Sequence, residues 1–119
     1  MTTALGGPWL GTVEWAIEYL SPRGADTGRL EDAYLAALEV ACETIARFGP
    51  ATLVVSLGFD TFERDPLGTF GLVTSSYGRI GERLAELVLP TLLVQEGGYA
   101  LDALGANAVT LLGRFQTRA

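Results

Sequence analysis

The sequence predicts an α/β fold built on a small parallel sheet. Segments with apolar residues at helical spacing alternate along the chain with short uncharged runs of β-branched and aliphatic residues, and the connections between them are short. Glycine and proline stand at the changeovers, where one periodicity must give way to the other. The chain has 119 residues, 49% hydrophobic and 18% charged. That composition is richer in apolar side chains than an average soluble domain, and the length suits a single core.

Leu30, Tyr34, Ala37, Leu38, Ala41, Ile45 and Phe48 recur every three or four positions, with Glu31, Asp32, Glu39, Glu43 and Arg47 around the other side. This is an amphipathic helix, ended by Gly49 and Pro50. Thr52 to Leu57 carries no charge and is the pattern of a strand buried on both faces of a parallel sheet. A turn-rich loop occupies Gly58 to Phe70. Thr74 is a candidate N-cap for a second helix with Tyr77, Ile80, Leu84, Leu87 and Val88 inward, and Pro90 prevents its continuation. Thr91 to Val94 reads as a second buried strand and Gln95 to Tyr99 as a glycine turn. Leu101 to Phe115 reads as a last helix with Leu104, Ala108, Leu111, Leu112 and Phe115 inward. The resulting order is αβαβα. Ahead of it, Trp15, Ile17 and Tyr19 alternate with Glu14, Ala16 and Glu18, which favours a strand, although Leu10, Val13, Ile17 and Leu20 also suit a helix.

Composition excludes several classes of function. The net charge is -6, with eight arginines and no lysine, so no basic surface exists to track phosphates and no nucleic-acid partner is expected. No apolar run reaches the roughly 18 residues of a membrane span, and no basic segment leads into an apolar one at the start. A cytoplasmic protein without a membrane partner is therefore expected. Cys42 lies in the first helical pattern and reads as small apolar filler. The chain contains no histidine. That removes the commonest metal ligand and the usual base near neutral pH, and with them serine-histidine pairs and most zinc sites.

In open parallel sheets ligands bind beyond the carboxyl ends of the strands, and two motifs fall there. Gly58-Phe59-Asp60-Thr61-Phe62-Glu63-Arg64-Asp65-Pro66-Leu67-Gly68 follows the first predicted strand, and Gln95-Glu96-Gly97-Gly98-Tyr99 follows the second. Singly, each residue has an ordinary explanation. Asp60 and Asp65 suit turns in which a carboxylate accepts nearby amides, and an Asp-Pro pair starts turns commonly. Gly97 and Gly98 supply positive φ, and Tyr99 suits a loop-helix junction with its hydroxyl in water.

Together, in this order and separation, the two motifs resemble the histone deacetylase and acetylpolyamine amidohydrolase family, in its bacterial amidohydrolase-like branch. The likeness runs from about Asp26 to Phe115. Residues 1–25 are left unassigned, and 26–119 read as the C-terminal part of a deacetylase-like domain. The resemblance implies a partial three-layer α/β/α fold of the arginase and deacetylase type. It further implies a divalent metal, usually zinc, held by two aspartates and one histidine. Asp60 matches the later aspartate ligand. Tyr99 matches the tyrosine whose hydroxyl donates to the substrate carbonyl and then to the oxyanion, a role worth about 100- to 1000-fold in rate. Leu67 matches an apolar position lining the channel for the acylated side chain, while Gly97 and Gly98 let the backbone pass close to the site.

The family's paired histidines and its Asp-x-His ligands match nothing in these residues. The expectation is a truncated metal-dependent amidohydrolase of acetyl-lysine or acetylpolyamine type, inactive alone and holding no zinc by itself. A homo-oligomer or a complementing chain is the partner it calls for, and an acetylated amine is its substrate only where the site is completed. Two other expectations compete with it: a non-catalytic α/β module that self-associates or binds protein, and a remnant without a selected role.

Overall fold

The computed structural model describes residues 2–4, 27–68 and 70–118. The strand expected over Glu14–Tyr19 lies outside them. Six elements follow in order: β1 (Thr2–Ala4), α1 (Thr27–Phe48), β2 (Leu53–Gly58), α2 (Thr74–Ala85), β3 (Thr91–Glu96) and α3 (Leu101–Arg118). From α1 onward this is the αβαβα order that the periodicities predict. β1 is an addition that three residues, Thr-Thr-Ala, could not announce. It lies antiparallel beside β2, with Thr2 opposite Ser56 and Ala4 opposite Val54.

β2 and β3 are parallel and in register, Leu53 opposite Thr91 through to Gly58 opposite Glu96. Because the two strands end side by side, the loops that leave them start from adjacent points on one rim. The glycine turn begins two residues later than the sequence suggests, since Gln95 and Glu96 complete β3.

One cluster holds the core. Tyr34, Leu38, Cys42 and Ile45 of α1 pack with Leu53, Val55 and Leu57 of β2, Tyr77, Ile80 and Leu84 of α2 and Leu111 of α3. The expectation that both strands are buried on two faces is corrected here. On β2 the buried residues alternate with Val54, which is 42% exposed, and on β3 Leu92 and Val94 are 60% and 39% exposed. Side chains alternate across a strand, so the three helices cover one face and leave the other bare among the described residues. One helical layer and the sheet are present, a part of the three-layer arrangement.

Several boundaries have local causes. Gly49 takes φ +68 and its amide bonds the Ile45 carbonyl at 3.0 Å, which ends α1. At the start of α2 the cap position is Val73 and not Thr74: the Val73 amide donates to Ser76 Oγ at 3.0 Å. Thr74 Oγ1 instead donates to the buried Asn107 Oδ1 at 2.7 Å, tying α2 to α3. α2 ends at Ala85, so Val88 lies beyond the helix and is exposed rather than inward. Phe48 and Leu112 are also exposed, against the apolar pattern that placed them inward. α2 and α3 approach closely at Gly81, where a Cβ would meet the Leu111 carbonyl oxygen. Arg83 crosses from α2 to α1 and grips the Glu39 carboxylate through Nε at 2.6 Å and Nη2 at 2.9 Å. Among the described residues no helix is long and apolar enough to cross a membrane.

Candidate active site

The loop after β2 is anchored by its apolar residues. Phe59, Thr61 and Phe62 are buried, and Thr61 Oγ1 shares a 2.9 Å hydrogen bond with the buried Tyr77 hydroxyl. Phe62 bridges to Leu72, with the Glu63 amide donating to the Leu72 carbonyl at 2.8 Å and the Leu72 amide to the Thr61 carbonyl at 3.1 Å. Between these anchors Asp60 is left half-buried at the rim. Burial drives the Tyr77 hydroxyl pKa upward; the Thr61 hydrogen bond opposes this, and the charges of Asp60 and Asp65 add to it.

The loop after β3 reaches the same place. Gly97 and Gly98 take φ +65 and +112, conformations that a side chain would strain. Both are also crowded. A Cβ on Gly97 would lie 3.2 Å from Asp60 Cγ and 3.3 Å from Asp60 Oδ2. A Cβ on Gly98 would lie 2.9 Å from both the Phe59 Cβ and the Leu104 Cδ1. From the other side, a Cβ on Gly58 would lie 2.8 Å from Asp60 Oδ1. The Asp60 carboxylate therefore lies close to the backbone at both Gly58 and Gly97, and at Gly97 the positive φ also favours glycine.

Asp65 joins the two loops. Its Oδ1 accepts the Leu67 amide at 2.8 Å and the Gly68 amide at 3.1 Å, which is the expected turn. Its Oδ2 accepts the Tyr99 amide at 2.7 Å from the other loop. Burial would raise the Asp65 pKa, but the amides of Tyr99, Leu67, Gly68 and Ala100 outweigh it and hold the carboxyl below the usual carboxylate range. Gly68 closes the turn against Asp60, since a Cβ there would meet the Asp60 carbonyl oxygen. A looser link, Arg64 Nη1 to Asp102 Oδ2 at 3.4 Å, spans the same loops at an exposed position.

Asp60, Gly97 and Gly98 are thus in contact or adjacent, and Tyr99 is hooked to the Asp60 loop by its backbone. The Tyr99 side chain is 49% exposed and Leu67 is 71% exposed, both on this rim's loops and neither packed into the core. Asp65 and Gly68 are the residues whose part in the site sequence reasoning missed. An Asp-Pro pair announces a turn, but nothing in it reveals a hydrogen bond to a residue 34 positions away. The described residues do not form a complete zinc site. There is no histidine, and among the described residues no group of three His, Cys, Asp or Glu side chains could hold a metal.

Residues 22–114 match the histone deacetylase domain, most of the chain. The chain belongs to that family. It is 49% identical over 85 residues to acetylpolyamine amidohydrolase 1 of Pseudomonas aeruginosa, an alignment covering 71% of this chain and 25% of that protein. The crystal structure of acetylpolyamine aminohydrolase from Burkholderia pseudomallei superposes with a TM-score of 0.72 at 40% identity, covering 74% of this chain and 26% of that one. The HDA15 HD domain superposes with a TM-score of 0.67 at 28% identity over 72% of this chain and 26% of its own. The deacetylase family chain described here therefore spans about a quarter of the length of the relatives it matches. The matched range includes both motifs, Gly58–Gly68 and Gln95–Tyr99.

Proposed function

We propose that these 119 residues carry one part of a deacetylase site for acetylated amines of the acetyl-lysine or acetylpolyamine type. Asp60 is its metal-ligand position, Tyr99 its hydrogen-bond donor, and Leu67, Gly97 and Gly98 line the approach. The observation that carries the reading is the seating of the Asp60 carboxylate against Gly97, in the loop that ends at Tyr99. A tyrosine hydroxyl beside a carboxylate-held cation position can donate to a substrate carbonyl oxygen and to the negative charge that develops on it. The 49% exposure of Tyr99 leaves its side chain accessible to a substrate.

The same reading assigns the isolated chain no activity. Catalytic zinc sites take about three protein ligands, and Asp60 is the one ligand position assigned here. Metal analysis after dialysis, with an acetyl-release assay in the presence and absence of zinc, tests both parts. The expected result is no stoichiometric zinc and no release from acetyl-lysine or acetylpolyamines. One tightly held zinc per chain, with turnover abolished in both Asp60→Ala and Tyr99→Phe, would show that the chain completes its own site, and would overturn the reading.

The bare sheet face favours a second property, self-association or a complementing chain. Val54, Leu92 and Val94 present aliphatic side chains on one side of the sheet, and β3 has no neighbour on its outer edge among the described residues. Light scattering on the purified chain is expected to return more than the 12.6 kDa of a monomer. A clean monomer with no exposed apolar patch would refute this reading.

A further inference from the structure

We infer that Asp65 is a positioning residue: its carboxylate, shared between the turn that follows Asp60 and the backbone of Tyr99, sets where Tyr99 stands relative to Asp60. The catalytic meaning of that position rests on the proposed reading of Asp60 and Tyr99, whereas the clamp itself does not.

The case begins with what else could hold Tyr99. It follows two glycines at φ +65 and +112, which restrain the chain weakly, and its half-exposed side chain leaves the ring little packing to fix it. The Arg64–Asp102 pair has side chains 61% and 73% exposed, and pairs of that kind add little. The 2.7 Å bond from the Tyr99 amide to Asp65 Oδ2 is by contrast short and charge-assisted, and Asp65 is 6% exposed. It is the firmest attachment of the Tyr99 backbone to the loop that carries Asp60.

The two carboxylate oxygens divide the work. Oδ1 serves the local amides of Leu67 and Gly68, and Oδ2 serves Tyr99 in the other loop. Every partner is an N–H donor, so both oxygens must accept. An asparagine has one acceptor oxygen and one NH2 donor. Placed at this position it keeps the local turn with its oxygen and turns its NH2 toward the Tyr99 amide. Asp65→Asn therefore separates the cross-loop clamp from the turn, which no truncation to alanine can do.

The test is amide hydrogen exchange by NMR on the whole chain, unmodified and as Asp65→Asn, with the tyrosine rings isotopically labelled. In the unmodified chain the Tyr99 amide is expected to be protected although its side chain is half exposed. In Asp65→Asn the Tyr99 and Ala100 amides exchange about ten- to a hundredfold faster, the loss of one charge-assisted bond. The Leu67 and Gly68 amides keep their protection. The Tyr99 ring signal moves while those of Tyr34 and Tyr77, buried in the core, stay in place. A residue that acted only on stability would change all protected amides and the rings of Tyr34, Tyr77 and Tyr99 together, and that pattern would overturn the inference. So would an unprotected Tyr99 amide in the unmodified chain, a measurement that decides the matter even where Asp65→Asn does not fold. The acetyl-release and metal assays read the deacetylase assignment separately, so failure of one is distinguishable from failure of the other.

Discussion

Gly81→Ala and Gly113→Ala should change stability in different amounts although both replace a glycine inside a helix. In a helix interior alanine is favoured over glycine by about 0.8–1.0 kcal/mol, through lower unfolded-state entropy and better backbone shielding. Gly113 on α3 has open space where a Cβ would go, so Gly113→Ala should gain about that amount. At Gly81 the added methyl meets the Leu111 carbonyl oxygen, with the Leu111 carbonyl carbon at 3.1 Å and the Phe115 amide nitrogen at 3.2 Å. All three are backbone atoms of α3 and cannot swing aside as a side-chain tip would. Overpacking of this kind costs about 1–3 kcal/mol. Subtracting one variant from the other cancels the helix-propensity contribution and leaves the strain, so Gly81→Ala should be less stable than Gly113→Ala by about 1–3 kcal/mol. Urea unfolding of the two variants in parallel, with equal slopes, measures the difference. If Gly81→Ala is stabilised as much as Gly113→Ala, α2 and α3 do not approach as closely as described here.

Other outcomes follow from the same structure. Gly68→Ala should destabilise the chain by about 1–3 kcal/mol and shift the Asp60 amide resonance, because its Cβ meets the Asp60 carbonyl oxygen; an unshifted Asp60 signal would contradict that contact. Asp65 has its pKa depressed in the folded chain, so its stabilisation is present above the ordinary carboxylate value and is lost as pH falls through the folded value. Urea midpoints measured from pH 6 down to about pH 2 should fall less steeply for Asp65→Ala than for the unmodified chain, and equal slopes would count against the clamp. Burial pushes the Cys42 thiol from its ordinary 9.0 up to about 11, with Arg83 opposing and Glu39 and Glu86 adding to the rise. Its contribution is therefore whole below pH 9 and lost between about 9 and about 11, so Cys42→Ala should lack that alkaline decline. A thiol reagent at pH 8 should accordingly label Cys42 no faster than the chain opens.

The sequence made the elements legible where apolar spacing was strong. α1, β2, α2, β3 and α3 all stand where their periodicities predict, because each buries one row of residues against a single core. What could not be read was which strand face would be covered. Val54, Leu92 and Val94 are as aliphatic as the buried Leu53 and Val55, and their hydropathy carries no information about which face the helices cover. The same blindness affected Val88, Phe48 and Leu112, apolar residues in phase with a helix but past its end or on its outer side. At the site, the two loops were legible as motifs, and the register of β2 with β3 brings them to one rim. The hook from Asp65 to Tyr99 was not legible, because a buried carboxylate and a turn carboxylate look alike in one dimension.

The contacts that fix the geometry at this rim are among the described residues, and no group of three His, Cys, Asp or Glu side chains among them could hold a metal. Gly58 and Gly97 lie beside the Asp60 carboxylate, Gly68 packs under its carbonyl, and Asp65 holds the Tyr99 amide, each through contacts among the described residues themselves. The half-site is therefore expected to be formed before any metal arrives, and zinc should alter it little. Four-ligand structural zinc sites bind with about 10–16 kcal/mol, so an equal share for one ligand is about 2.5–4 kcal/mol. That corresponds to a dissociation constant of about one to fifteen millimolar. Titrating zinc into the chain should move the Asp60 signals gradually and without saturation below that range. The Gly97, Gly98 and Tyr99 amide signals should stay within their zinc-free positions. Saturation at micromolar zinc, accompanied by shifts of Gly97 through Tyr99, would mean that the metal organises the rim and that ligands beyond Asp60 reach it, reversing the order of assembly argued here.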